Sequence, residues 1–314
     1  MAEPSSPPSP AYRELSAGEL RARADALRDR YRACDCCPHA CGVDRTVGQT
    51  GACGVGEAAI VASAQPHFGE EPPLVGTGGS GTIFLAGCPL SCAFCQNHRI
   101  SQELRGEKAS PETIAGMALS LQERGCENVN FVTPTHVPAN LVEAIAIARD
   151  RGLSIPIVWN CGGYESVDIL ETLEGIVDVY MPDVKFADPD LARRYAGVPD
   201  YPTHSQAALR EMHRQVGDLE VREGVATQGI LVRHLVLPGA VENAVDVLRF
   251  VAEEISTDTY LNLMGQYRPA HEVPGSKQYA SIDRRVTRAE YREIAERGRA
   301  FGLSRLRIDD RLRA

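Results

Sequence analysis

The sequence predicts an α/β protein: a partial barrel of (β/α)6 type, preceded by a small cysteine-rich N-terminal extension. Three observations predict it. Six short apolar runs, at 82–87, 128–133, 155–160, 177–181, 229–236 and 259–264, have the length of buried strands. Helical patterns near 111–124, 138–151, 164–173, 203–216 and 242–255 fall between them, and a last one spans about 288–301. Such alternation implies a parallel sheet covered by helices. Polar residues also collect at the C-terminal ends of the runs, where parallel α/β architectures gather their chemistry.

In chain order, residues 1–15 are expected to be a disordered tail, because the start is rich in Pro and Ser. Residues 16–75 are expected to form a helix plus a cysteine-rich, metal-binding extension, and 76–314 the barrel. Ser16-Ala-Gly-Glu19 has the form of a capping box. It would start a helix through about Arg32, with Leu20, Ala24, Leu27 and Tyr31 on one face. Cys34, Cys37, Cys41 and Cys53 follow at C-x2-C-x3-C-x11-C spacing, with Cys36 as a fifth, so that either it or a neighbour is spare. Six Gly and Pro positions between 38 and 56 make this segment loop-like, and so little apolar content calls for a metal to hold it. Four thiolates suit zinc and an iron–sulfur cluster equally, and spacing does not separate them. Gly76-Thr-Gly-Gly-Ser-Gly81 matches a dinucleotide fingerprint in letters only, since it precedes a strand instead of following one. Ser110-Pro111-Glu112 and Thr287-Arg-Ala-Glu290 are helix starts, and Gly125, Gly152 and Gly302 fit helix ends.

The first run leads into Cys88-Pro-Leu-Ser-Cys92-Ala-Phe-Cys95, three cysteines at C-x3-C-x2-C with no fourth until Cys126. Iron–sulfur clusters normally take four cysteines, and structural zinc closes its site with four ligands. Three thiolates would therefore hold a cluster with one iron open to a ligand that is not protein. With Phe94 before the last cysteine, the pattern resembles the signature of the radical S-adenosylmethionine (SAM) superfamily. Gln96-Asn97, the upstream run from His67 to Val75 and Val179-Tyr-Met-Pro-Asp-Val-Lys-Phe186 make the chain similar to the group around pyruvate formate-lyase activating enzyme, over roughly residues 31–303. The partial (β/α)6 barrel is that superfamily's fold.

The resemblance implies a [4Fe-4S] cluster on Cys88, Cys92 and Cys95, with its open iron chelating the amino and carboxylate groups of SAM. A low-potential electron, from a donor of flavodoxin or ferredoxin type, would cleave SAM to methionine and a 5′-deoxyadenosyl radical that abstracts hydrogen from a substrate. The family's Gly-Gly-Glu-like turn after the second strand is replaced here by Thr133-Pro-Thr135-His136, so a threonine hydroxyl or a backbone carbonyl would meet the SAM amino group. Asn160 aligns with a polar residue near the ribose. Asp183 and Lys185 resemble the Asp-x-Lys of the activating enzymes, and Arg233 and His234 fall on a strand bordering SAM. Tyr164, Asn262, Gln266, Tyr267 and Arg268 complete the polar strand ends. His67, Glu70 and Glu71 are expected at the substrate entrance, or else in a solvated loop. Cys161 is expected as a packed residue, its other reading being a hydrogen donor.

A net charge of −9 and a pI near 5.5 argue against nucleic acid as a partner, because phosphate binding needs a concentrated basic surface. No apolar run reaches the ~18 residues of a membrane span. Ten cysteines without a signal-peptide pattern point to a reducing, cytoplasmic setting. The activating-enzyme likeness implies a protein substrate. Modification of a different peptide or small molecule, and a plain iron–sulfur electron carrier, are the alternatives.

Overall fold

The computed structural model describes residues 9–309. Ten strands form one open sheet: β1 (Ala59–His67), β2 (Ser80–Leu85), β3 (Glu107–Ala109), β4 (Val129–Val132), β5 (Ile157–Cys161), β6 (Val179–Pro182), β7 (Glu220–Arg222), β8 (Val225–Leu235), β9 (Tyr260–Met264) and β10 (Leu306–Ile308). Their order is β10-β9-β8-β6-β5-β4-β2-β1-β3, with β7 paired to β8 off this path. From β2 to β10 every pairing along the path is parallel; β1 runs antiparallel to both β2 and β3. The six expected strands are β2, β4, β5, β6, β8 and β9, so the expected α/β fold with a mostly parallel sheet is the one observed.

The helices are α1 (Ala17–Asp29), α2 (Pro72–Val75), α3 (His98–Ser101), α4 (Pro111–Glu123), α5 (Pro138–Asp150), α6 (Val167–Thr172), α7 (Pro189–Ala196), α8 (Tyr201–Val216), α9 (Val241–Phe250) and α10 (Arg288–Ala300). The capping boxes expected for α1 and α10 are both formed, and Ser110 caps α4 ahead of Pro111. Each satisfies backbone N–H groups that the first turn would leave open. Leu20, Ala24 and Leu27 are buried along one face of α1, which packs on α5. Residues of α5 are buried on nearly every side, because that helix packs against both α1 and α4. Among the described residues no helix is long and apolar enough to cross a membrane.

Alternation along the strands divides the side chains between two faces. One face packs under the helices and carries Ile83, Phe131, Trp159, Tyr180, Val232 and Leu261. The other holds a separate apolar cluster of Val158, Val179, Met181 and Leu231, completed by Leu74 of α2. This second face is the concave interior. The β1–β2 connection folds back into it, and the site is built on that.

Three expectations are corrected. Of the tail expected at 1–15, residues 1–8 lie outside the described residues. Residues 10–15 are packed: Tyr12 is fully buried, its hydroxyl donates to the Ile155 carbonyl at 3.0 Å, and Ala11 N–H donates to Asp178 at 2.7 Å. An aromatic ring with a polar tip anchors a segment whose composition alone reads as unstructured. The expected boundary at 75/76 also fails as a division, since β1 pairs with β2 across it. The small, weakly patterned Ala-Ile-Val-Ala-Ser-Ala-Gln-Pro-His hides that strand. Finally α7, opened by Asp188 as a cap and Pro189, occupies a stretch that no helix was assigned to.

Candidate active site

The cysteine loop leaves β2 through Gly87, whose φ of +91° and close neighbours leave no room for a side chain; a Cβ there would lie 2.4 Å from Val55. The loop is then held by backbone bonds from both sides. Ala93 N–H donates to the Tyr195 carbonyl at 2.8 Å and Ser91 N–H to the Ala196 carbonyl at 3.2 Å, while Glu272 N–H donates to Ala93 at 3.0 Å. Phe94 meets Phe186 and Tyr267 edge-on at ring-centre separations of 6.4 and 6.0 Å. The aromatic residue inside the motif is thus an anchor for the loop. Leu90 N–H donates to Cys88 Sγ at 3.4 Å, and Cys95 Sγ lies 3.3 Å from Ser101 Oγ.

Burial pushes the Cys88 thiol up and the Cys92 thiol up to about 12; charge on Cys95 adds to both, and Lys185 pulls back on both. Thiols that oppose one another's ionisation out of water are a set that a multiply charged iron core would stabilise, so the donor chemistry fits a cluster. Among the described residues no group of three or more His, Cys, Asp or Glu side chains closes on a point that one metal ion could occupy.

Beside them, on the concave face, stands a charged network, three of whose members sit two residues beyond an apolar member of the interior cluster. Asp183 follows Met181, Arg233 follows Leu231, and Asn160 follows Val158. Arg233 Nε donates to Asp183 Oδ1 and Nη2 to Asn160 Oδ1, both at 2.7 Å, and Lys185 Nζ donates to Asp183 Oδ2 at 2.7 Å. Burial alone would raise the Asp183 carboxyl; Arg233 and Lys185 outweigh it and hold it down at about 2. The sequence-predicted Asn160, Asp183, Lys185 and Arg233 are therefore brought together, next to Cys92.

His234 is not with them. One residue beyond Arg233, it points to the helix face, where Val184 O lies 2.6 Å from Nδ1, and burial pushes its pKa down to about 4. Thr135 is 1% exposed, and its hydroxyl donates to Glu165. Thr133 takes a φ of +62°, turning the chain sharply after β4. His136 is buried against the Ala86 carbonyl at 2.9 Å. Tyr267 is buried, and its hydroxyl donates to the Ile282 carbonyl at 2.9 Å. Cys161 is packed on the helix face and hydrogen-bonded to Glu165. Glu70 and Glu71 lie in the interior, not at an entrance: Glu70 Oε2 pairs with Arg233 Nη1 at 3.4 Å, and Asn262 Nδ2 donates to both Glu71 oxygens at 2.7 and 2.8 Å. The fold of the β1–β2 connection puts them there, and no local pattern announces it.

Two residues went unnoticed in the sequence. Glu165 gathers Thr135, Trp159 and Cys161 behind the strand ends; burial pushes its carboxyl up to about 7 although all three are hydrogen-bonded to it. A folded state that keeps this proton to about pH 7, against about 4.5 for a free carboxyl, loses stability as pH rises through that window, by about 1.4 kcal/mol per pH unit. Thermal melts of Glu165→Gln should fall less steeply between those pH values than melts of the parent. Asp178, also pushed up to about 7 by burial, keeps the remaining slope. Equal slopes for parent and variant would show that the carboxyl is not held protonated.

Arg45 is the second. It is fully buried, stacks over Tyr31 at 3.9 Å, and donates to the Gly56 and His136 carbonyls and, at 3.7 Å, to Cys34 Sγ. It ties the cysteine-rich extension to the turn after β4. His39, inside the extension, lies with Nε2 2.7 Å from the carbonyl of Pro89 in the cysteine loop. Cys34, Cys37, Cys41 and Cys53 lie near enough to influence one another's ionisation. Cys36 instead shares a hydrogen bond with Cys34, whose thiol that bond and Arg45 pull below its ordinary value.

The chain is similar to the uncharacterized protein MJ0674 of Methanocaldococcus jannaschii, with 29% identity over 291 residues, covering 90% of this chain and 79% of that protein. The family model of the Radical SAM superfamily matches residues 82–251, from β2 and the cysteine loop through the Asp183–Arg233 network to α9. That is more than half of the protein, and the chain belongs to the radical SAM superfamily.

Proposed function

We propose that Cys88, Cys92 and Cys95 hold three irons of a [4Fe-4S] cluster, and that Asn160, Asp183, Lys185 and Arg233 receive SAM beside it. The observation that carries this is the meeting of two stretches distant in sequence: Lys185, bound to Asp183 at 2.7 Å, lies near enough to Cys92 for its charge to favour the thiolate. Bound there, cluster and SAM would supply reductive cleavage to a 5′-deoxyadenosyl radical that takes hydrogen from a substrate. The chain's own part is to bind, orient and shield. Asp183 holds the Lys185 ammonium and the Arg233 guanidinium in place, so that either presents charge to a carboxylate without first losing its own ordering entropy. Phe94, Phe186 and Tyr267 close the loop against water. Enzymes of the superfamily generally need a low-potential reductant such as flavodoxin or ferredoxin.

The substrate reading follows the likeness of Val179–Phe186 to the activating enzymes: hydrogen abstraction from a backbone glycine of a partner protein. Modification of another peptide or of a small molecule is its rival. Cys34, Cys37, Cys41 and Cys53 are proposed to hold a second metal, zinc or iron–sulfur, with Cys36 outside the ligand set. Anaerobic reconstitution with iron and sulfide, then reductant and SAM, tests the core of the proposal. It should release 5′-deoxyadenosine, and SAM should alter the electron paramagnetic resonance of the reduced cluster. A protein that binds iron but leaves SAM intact would return the assignment to an electron carrier.

A further inference from the structure

A cavity of about 670 Å³ lies between α1, α5, the cysteine-rich extension and the paired ends of β1 and β3, and its size is that of a small-molecule site. None of the residues lining it belongs to the three-cysteine loop or to the network around Asp183. Part of its wall is aliphatic: Ala58, Ile60, Ala109 and Pro111. Ile60 faces Lys108 across the β1–β3 pairing, so an apolar side chain and an ammonium share that wall.

Another part of the wall is a buried amide. Asn140, in the first turn of α5, is 3% exposed. The Tyr31 hydroxyl donates to its Oδ1 at 2.9 Å and itself accepts from the Ala139 N–H, which fixes the orientation of the amide. Nδ2 is the end left to face the cavity, and it has no hydrogen-bond partner among the described residues. A buried donor left open is costly, and a ligand that accepts from it removes the cost. The charges around the amide favour an anion. Arg28, Arg45 and Lys108 line the cavity against one carboxylate, Glu57. Arg28 is paired with Glu143 and, at 3.5 Å, with Glu57. Arg45 gives its hydrogen bonds to carbonyls and to the Cys34 sulfur, and Lys108 has no ion-pair partner among the described residues. Positive charge is therefore in surplus. The N-terminus of α4, at Ser110 and Pro111, adds the positive end of its dipole.

We infer that this cavity is a second ligand site, for a small organic anion. Its carboxylate or phosphate head accepts from Asn140 Nδ2 within reach of Lys108 and Arg28, and its aliphatic body lies on Ile60 and the apolar wall beside it. The ligand is distinct from the group that enters beside the cysteine loop, since the two sites share no residue. The inference does not depend on SAM cleavage.

The test is saturation-transfer NMR on the anaerobically reconstituted protein, titrated with butyrate, n-butyl phosphate, n-butanol and n-butylammonium. At least one of the two anions is expected to bind roughly tenfold more tightly than butanol, the gain that a charge-assisted hydrogen bond brings over a neutral one, and butylammonium more weakly than butanol. The tighter of the two anions names the head group. Asn140→Asp keeps an acceptor for the Tyr31 hydroxyl and puts a carboxylate oxygen where the amide donor stood, so it should bring the anions down to the level of butanol or below. Lys108→Gln, which changes an exposed side chain, should reduce the preference, and it decides alone if Asn140→Asp does not fold. Arg292→Gln, exposed on α10, should leave the preference intact. If water satisfies Asn140 as well as any ligand does, the parent binds the anions and butanol equally, and that result overturns the inference. An undiminished preference in folded Asn140→Asp also overturns it, by placing the anion elsewhere, as at Lys185 and Arg233.

Discussion

Cys92→Ala is expected to abolish 5′-deoxyadenosine release and the cluster's visible absorption together, while the metal content of the N-terminal cysteines is unchanged. The loop offers three thiols, so the loss of one leaves two, and the next cysteine in the chain, Cys126, lies beyond α4 and against Gly81, at the end of β2 away from the loop. Cys92 is also the cysteine on which Lys185 acts most strongly after burial, so the link to the charged network goes with it. The expected fall in SAM cleavage exceeds about a hundredfold, since even outer-shell partners of metal ligands bring losses of 10–100-fold. Ser101→Ala, which removes the hydroxyl 3.3 Å from Cys95 Sγ, is expected to give such an intermediate loss. Iron, sulfide and zinc analysis of the two variants beside the parent reads both results. Full cleavage by Cys92→Ala would move the cluster to other residues. Loss of all metal in that variant would mean that the two cysteine groups are not independent.

The second large effect is expected from Asp183→Ala. That carboxylate is shared by Lys185 and Arg233, at 2.7 Å each, within the interior. Removing it leaves two largely buried cations side by side, their side chains 18% and 14% exposed. Breaking one partner out of a buried ionic pair costs about 3–5 kcal/mol, and the cost here falls on both cations, with Glu70 and Asn160 left to take up Arg233. Denaturant unfolding checks the size. The double variant Asp183→Ala/Arg233→Ala should be less destabilised than the sum of the single changes, because the second change removes a charge that the first left unpaired. The pH dependence has a definite sign. A carboxyl held down at about 2 in the folded state, against an ordinary 3.8, contributes stability that is fully present above the ordinary value and lost as pH falls through the interval between them. Asp183→Asn should lack that loss. Additive single and double variants, or an acid limb identical in Asp183→Asn, would show that the three side chains do not act as one unit.

The site was legible in part. Six parallel strands, the capped starts of α1, α4 and α10 and the three-cysteine loop follow from patterns a few residues long: apolar runs, a hydroxyl three residues before a glutamate, a fixed cysteine spacing. Asn160, Asp183 and Arg233 could be named because strand ends converge in a parallel sheet. His234 could not be separated from Arg233 in the same way, since adjacent residues on a strand point to opposite faces and the strand alone does not say which face is concave. Thr135 was identified by position, but its hydroxyl serves Glu165, a residue thirty positions on whose role appears only once β4 and β5 lie side by side.

By itself the sequence determined the α/β class, the superfamily likeness and the cysteine set, because each is written in local spacing. Only the tertiary structure decided that the β1–β2 connection turns inward, that Glu70 and Glu71 meet Arg233 and Asn262 across 163 and 191 residues, and that Tyr12 belongs to the packed protein. Burial and charge pairing between distant segments depend on which surfaces close on each other, and that is a property of the whole packed chain and of no stretch within it.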